Sequence, residues 1–138
     1  MSWHSELETL TDSEIPPAPK TSALPTDSRA RKGVPLFSGL DRYFPDALAE
    51  VARLSKLGND KHNPNQPLHW SREKSSDHAD CIRRHLLDAH EEMFETPCGA
   101  IVGIAIDHDD NVLHAVKVAW RALAHAQLAI ESRRRVDE

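Results

Sequence analysis

Three segments of this 138-residue chain repeat their apolar residues at helical spacing, and they constrain the fold more than any other feature of the sequence. The segments span about 45–62, 76–94 and 110–131, and the first follows Pro45, a residue that suits the first turn of a helix. Each has an apolar arc on one side and charged residues on the other. The sequence therefore predicts an all-α fold, a small helical bundle.

Three amphipathic helices form a small core. The third segment contains many alanines, which permit close helix approach, and its apolar arc includes Leu123 and Ile130. A monomer would leave a large apolar area in water, beyond what monomers usually expose as one patch. We therefore expect a second copy to complete the bundle, as a homodimer or a dimer of dimers.

The remaining segments differ in composition. Residues 1–33 contain four prolines among Ser, Thr, Glu and Asp, which indicates a disordered or loosely attached arm. The domain is predicted over 34–131, and 132–138 is a charged tail. The Gly-flanked apolar stretch at 99–106 fits either a strand or an ordered loop, and the sequence assigns it no role.

Composition excludes several functions. Lys and Arg number 17 against 22 Asp and Glu, so a net charge of −5 argues against nucleic-acid binding. No apolar run approaches the roughly 20 residues that cross a bilayer, and the N-terminus does not resemble a signal peptide. Two distant cysteines fit a reducing cytoplasm. The glycine-rich and nucleophile motifs of P-loop, dinucleotide and serine-hydrolase enzymes are absent.

An acidic stripe on the second helix is the first indication of chemistry. Carboxylates one helical turn apart can converge on one divalent ion, and Asp77 with Asp80 has this spacing, as does His85 with Asp88. A solvated helix face explains the stripe equally well. The first helix adds Glu50 at the edge of its apolar arc, while the third has a basic stripe that includes Lys117 and Arg121. Acids and bases on separate helices together indicate a metal and phosphate site.

Trp70 follows a loop with two prolines and could stack on a base, or could close the loop against the bundle. A different order of residues, with His85, then His108 and Asp109, then Asp137, imitates the metal phosphohydrolases of the HD type. A non-catalytic helical dimerisation or regulatory module, whose polar stripes only face solvent, is the other alternative.

Four stretches carry a family resemblance: FPDALAEVA, GNDKHNPNQPLHW, REKSSDHADCIRRHLLDA and LHAVKVAWRALAHAQL. They resemble the phage dATP/dGTP diphosphohydrolase (MazZ-like) branch of the MazG-like all-α nucleotide pyrophosphohydrolases, over about residues 31–131. The resemblance implies hydrolysis of a purine nucleoside triphosphate, dGTP or GTP first and dATP as a further candidate, to the monophosphate and pyrophosphate. It also implies the cytoplasm of an infected bacterial host and, in some phages, a supply of dGMP for 2-aminoadenine synthesis.

The resemblance and the stripes together predict the site. The family's usual first pair of glutamates is not reproduced, because Glu50 has Ala47 and Arg53 at the three-residue offsets. We expect two or more Mg²⁺ or Mn²⁺ ions, with His85 as catalytic residue or additional ligand. The predicted metal ligands are Glu50, Asp77, Asp80 and Asp88. The predicted substrate-binding residues are Lys61, Trp70, Arg84, Lys117 and Arg121.

Overall fold

The computed structural model describes residues 23–138, so residues 1–22 of the predicted arm lie outside the described part. The first element is a short helix, α1 (Ser28–Lys32). Its N-terminus is capped by the Asp27 carboxylate, which accepts a hydrogen bond from the Ala30 N–H at 2.8 Å. None of the residues of α1 is buried, so it lies at the surface.

Three long helices form most of the structure: α2 (Pro45–His62), α3 (His78–Ala89) and α4 (His114–Asp137). Helix α2 begins at Pro45 as predicted, because a proline at the first helical position loses no hydrogen bond. A π-helical turn precedes α2 and a 3-10 turn precedes α3. The predicted all-α fold is confirmed. Among the described residues, no helix has both the length and the apolar character to cross a membrane.

Two short hairpins separate α3 from α4. The strands β1 (Met93–Glu95) and β2 (Ile101–Gly103) pair antiparallel, with Phe94 opposite Val102. The strands β3 (Ile106–Asp107) and β4 (Val112–Leu113) form the second pair. The prediction that the second helix continues to Phe94 was wrong, because the end of that segment pairs with β2. The open choice for 99–106 has both answers, because Ile101–Gly103 and Ile106 are in strands and the other four residues are not.

Helix α4 begins at His114, later than the predicted cap at Asp110 or Asn111. Those two residues instead belong to the turn between β3 and β4, where Asn111 has a φ of 60°, in the left-handed region that asparagine tolerates better than most residues. The helix continues to Asp137, through the segment predicted as a charged tail. Arg133 and Asp137 form an ion pair at 3.2 Å within its last turns.

The core lies chiefly between α3 and α4, with α2 packed less extensively against α4. Its buried apolar residues are Cys81, Ala89, Val112, Val116 and Ala124. The prediction that Leu123 and Ile130 are buried was wrong for the single chain, since they are 55% and 50% exposed. Few neighbours surround α4 in one chain, so one side of its apolar arc stays in water.

Candidate active site

A cluster of three potential metal ligands lies where α3 ends and α4 begins. His85 and Asp88 are one turn apart on α3, and His114 is the first residue of α4. One ligand atom from each residue lies within 4.8 Å of the other two. This His85, Asp88 and His114 group is called the ligand cluster below. Within residues 23–138 it is the one group of three or more His, Cys, Asp or Glu side chains that lie close enough together to share a metal ion.

The two imidazoles of the ligand cluster face each other. Nδ1 of His85 lies 2.9 Å from Nδ1 of His114, so one nitrogen has to donate a proton and the other accept it. Burial, and then the charges of His114 and Lys117, lowers the pKa of His85. The pair is therefore held with at least one lone pair available for a metal ion or a proton.

The donor set fits a divalent ion. Neighbouring ligands of an octahedral ion at about 2.1 Å lie about 3.0 Å apart, close to the 2.9 Å between the two Nδ1 atoms, so both could coordinate an ion once the proton between them is lost. Two imidazoles and one carboxylate suit Mn²⁺ and other transition metals better than Mg²⁺, which prefers oxygen ligands. Three protein ligands also leave positions for water and substrate, as catalytic metal sites require.

Residues 103–105, for which the sequence suggested no role, join the two halves of the ligand cluster. Ala105 N–H donates to the Ala89 carbonyl at 3.2 Å, and His114 N–H donates to the Ala105 carbonyl at 3.1 Å. Gly103 lies so close to the end of α3 that a Cβ there would be 2.6 Å from the carbonyl carbon of Ala89. The segment thus sets the distance between α3 and the start of α4.

A partly buried ion-pair group lies beside the ligand cluster. The Lys117 ammonium contacts Asp107 at 2.7 Å and Asp110 at 2.8 Å, and its side chain is only 15% exposed. Hydrogen bonding to Lys117 lowers the pKa of Asp107 to about 2. The pKa of Asp110 is also lowered, because the hydrogen bond from Lys117 and a backbone N–H outweigh burial. Burial lowers the pKa of Lys117, but its hydrogen bonds to Asp107 and Asp110 raise it more, so the pKa is raised overall.

A cleft of about 730 Å³ opens next to these groups, between α2, α4 and the loop that joins α2 to α3. His85 lines both this cleft and a smaller cavity of about 650 Å³ around the ligand cluster. The structure thus brings four of the five predicted substrate-binding residues to one cleft: Lys61, Trp70, Lys117 and Arg121. The volume of the cleft is large enough for a ligand of the size of a nucleotide.

The aromatic side chain of Trp70 in the cleft wall is fixed by contacts with neighbouring residues. Trp70 contacts Trp120 edge to face, with ring centroids 6.1 Å apart, and the Arg72 guanidinium lies 4.4 Å from the Trp70 ring centre. Arg72 in turn donates to both carboxylate oxygens of Glu131, at 2.6 and 2.8 Å. Trp120 donates to Ser55 at 2.8 Å. These contacts fix the indole of Trp70 as part of the cleft wall.

The loop that carries Trp70 is organised by one buried side chain, Asn59 on α2. Its amide nitrogen donates to the Gln66 carbonyl at 3.0 Å, and its amide oxygen accepts from the His69 N–H at 3.2 Å. Asn59 is 4% exposed, so these two bonds replace water for most of its polar surface. The sequence does not reveal this role, because it depends on contacts between two elements.

Arg121 is positioned by a buried histidine that sequence reasoning also missed. His78, at the start of α3, accepts a hydrogen bond on Nδ1 from Arg121 at 3.2 Å, and Arg121 also donates to Ser75. Burial, and then the charge of Arg121, lowers the pKa of His78. A neutral His78 is therefore suited to accept from the guanidinium. With nine histidines in the chain, no local pattern singles this one out.

Other predicted site residues lie apart from the ligand cluster. Asp77 pairs with Arg84 at 3.0 Å, and Glu50 pairs with Arg53 at 2.9 Å. None of Glu50, Asp77, Asp80 and Arg84 lines the cleft or the smaller cavity. At about 1.5 Å of rise per residue, Asp80 lies about 12 Å from Asp88 along α3. Residues of one stripe point to the same side of the helix, but residues that lie this far apart along the axis cannot bind the same ion.

The alternative HD-type order is not assembled. His108 and Asp109 do line the cavity that contains His85. Asp137, however, stands at the far end of α4, about 34 Å from His114 along the helix axis. Asp137 therefore cannot bind the same ion as His85 and His108.

Comparison with known proteins identifies the family. The family model for the N-terminal region of dATP/dGTP diphosphohydrolases matches residues 27–138, which include the whole ligand cluster and the cleft. The chain belongs to this family. It is accordingly a nucleotide-hydrolysing enzyme, and the resemblance to the dATP/dGTP diphosphohydrolase branch is confirmed. The wider MazG-like relationship stays a prediction. Neither curated proteins nor solved structures gave a match.

Proposed function

We propose that this chain hydrolyses a purine deoxynucleoside triphosphate, dGTP (or GTP) first and dATP as a further candidate, to the monophosphate and pyrophosphate. The observation that carries the proposal is that the ligand cluster adjoins, through His85, a cleft that is also lined by an indole and basic side chains. A nucleotide can place its phosphates near the cluster and its base near the indole. The family description supports the choice of purine.

His85, Asp88 and His114 would hold the divalent ion, Mn²⁺ or Mg²⁺, of which their donor atoms favour Mn²⁺. When bound, the ion supplies a water of lowered pKa and charge neutralisation on the phosphates. In the proposed reaction the oxygen of a water molecule would form a bond to the α-phosphorus, and the bond from this phosphorus to the bridging oxygen would break. Pyrophosphate then leaves, and the proton released by the water passes to solvent or a nearby base.

The cleft residues bind the rest of the substrate. The ammonium of Lys61 forms no ion pair with any residue of the described part, so it can pair with a phosphate oxygen. Arg121, held by His78 and Ser75, offers its remaining N–H groups in a fixed direction. Trp70 offers an aromatic surface for the purine, which stacks on indole rings without reading a particular base. Such stacking would let one site accept both dATP and dGTP.

Product analysis tests the reaction. The chain is incubated with each dNTP and with GTP in the presence of Mn²⁺ or Mg²⁺, and the products are separated by chromatography. We expect pyrophosphate and nucleoside monophosphate in equal amounts, with purine substrates preferred. Inorganic triphosphate with a free nucleoside would contradict the proposal and support the HD-type reaction, while no turnover of any nucleotide would contradict both.

A matched pair of variants tests the site. Asp88→Asn removes a charged oxygen ligand from the cluster, and we expect turnover to fall by about 100-fold or more, with weaker Mn²⁺ binding. Asp80→Asn makes the same chemical change on the same helix, at an exposed residue without a contact to the cluster. Its turnover should stay within about twofold of the unchanged chain, and its stability within about 0.5 kcal/mol. Equal activities of the two variants would refute the ligand cluster.

We also propose that the enzyme acts as a homodimer or a dimer of dimers in the cytoplasm of an infected bacterial host. Large apolar side chains on the two best-packed helices support the assembly, since Leu87 is 73% exposed and Leu123 is 55% exposed. Few monomers expose so many large side chains in a domain of this size. A second copy would bury them.

A further inference from the structure

The Lys117 ammonium occupies a position between two carboxylates next to the ligand cluster. Its two contacts are made at 2.7 Å to Asp107, the last residue of β3, and at 2.8 Å to Asp110, in the turn that joins β3 to β4. Asp107 is 19% exposed and Asp110 is 34% exposed, so both contacts are partly shielded from water. Carboxylate oxygens are also the ligands that a divalent ion prefers, so the ammonium occupies a position that such an ion could otherwise take.

This group lies close to the ligand cluster. Lys117 follows His114 by one turn on α4, and Asp107 lines the same cavity as His85 and Asp88. Two groups that contain carboxylates therefore lie side by side. In the ligand cluster the carboxylate is accompanied by histidines, and in the other group the carboxylates are paired with Lys117.

We propose that Lys117 is a tethered cation that takes the place of a second metal ion, so that each chain binds one divalent ion. The inference rests on the proposed ion in the ligand cluster. It revises the expectation of two or more ions, and it changes the predicted role of Lys117. The lysine lines the cleft, but its ammonium is engaged by Asp107 and Asp110 and keeps them from binding metal.

Charge and packing favour the lysine over a second ion. An ion that displaced Lys117 would break two partly shielded ion pairs, and it would leave the ammonium beside a dication. The side chain is 15% exposed, so little water is available to screen that repulsion. Removing the lysine would instead leave Asp107 and Asp110 unpaired, and a divalent ion would then relieve their mutual repulsion.

Counting bound ions tests the inference. The chain is freed of metal and titrated with Mn²⁺, and the free ion is followed by electron paramagnetic resonance. We expect one bound Mn²⁺ per chain, two in Lys117→Met, and one again when Asp107→Asn is added to Lys117→Met. Lys117→Arg keeps the charge and should bind one. Lys56→Met serves as the matched control, because Lys56 pairs with Asp60 at 2.7 Å on the exposed surface of α2.

The outcomes separate this inference from the proposed function. Two ions in the unchanged chain, or only one in Lys117→Met, would overturn the tethered-cation role and leave the ligand cluster in place. No bound ion in the unchanged chain would overturn the ligand cluster and the inference together. If circular dichroism shows that Lys117→Met does not fold, Lys117→Gln replaces it, since its side chain is polar but carries no charge, and the expected count remains two.

Discussion

Gly103 is the residue at which a single methyl group should disturb both stability and the candidate site. An alanine there would place its Cβ 2.6 Å from the carbonyl carbon and oxygen of Ala89, and 2.8 Å from the Ala89 Cβ. Non-bonded carbon atoms prefer about 3.5–4.0 Å, so the overlap is about 1 Å. Because two of the three atoms belong to the backbone, they cannot rotate away, and the hairpin has to shift.

Overpacking usually costs about 1–3 kcal/mol, and a backbone contact places Gly103→Ala at the upper end, about 3 kcal/mol. For a domain of this size, that corresponds to a fall in melting temperature of about 12 °C. The assay is thermal unfolding followed by circular dichroism. Mn²⁺ affinity should fall as well, because the displaced segment includes Ala105, which links the Ala89 carbonyl to the His114 N–H.

Gly58→Ala is the control for the same chemical change. Gly58 lies inside α2, and nothing comes within 4 Å of a Cβ built there. Alanine is favoured over glycine in a helix, so this variant should be more stable by about 0.5–1 kcal/mol. A melting temperature for Gly103→Ala within about 2 °C of the unchanged chain would refute the close-approach argument.

Two further predictions concern acid stability and assembly. Asp107→Asn should be less stable than the unchanged chain at neutral pH, and this difference in unfolding free energy should shrink as the pH falls from about 4 towards about 2. The reason is that Lys117 lowers the pKa of Asp107 from 3.8 to about 2, so the stabilisation is present above the unfolded value and is lost on protonation. Urea unfolding at several pH values measures it, and a pH-independent difference would contradict the coupling. Light scattering at micromolar concentration should give at least twice the 15.5 kDa of one chain, whereas a monomeric mass would contradict the proposed assembly.

Local signals in the sequence determined the helices and pointed to four residues that line the cleft. Pro45 marks the start of α2 because its ring suits a first helical turn and lacks only a hydrogen that would be unpaired there. The alternation of apolar and basic residues on the last segment placed Lys117 and Arg121 on one face of α4. Such patterns depend on neighbours one turn away, so they can be read without the fold.

The tertiary structure alone shows which of these acids lies beside the two histidines of the ligand cluster. Asp77, Asp80 and Asp88 have similar local surroundings in the sequence, yet only Asp88 lies at the end of α3 where the chain returns to start α4. Its partner His114 is 26 positions later, and the distance between them is set by Gly103 and Ala105. Contacts between distant segments depend on the path of the chain, which helical periodicity does not contain. For this reason the stripe predicts which residues share a helix face, while the packing of the hairpins brings His85, Asp88 and His114 together.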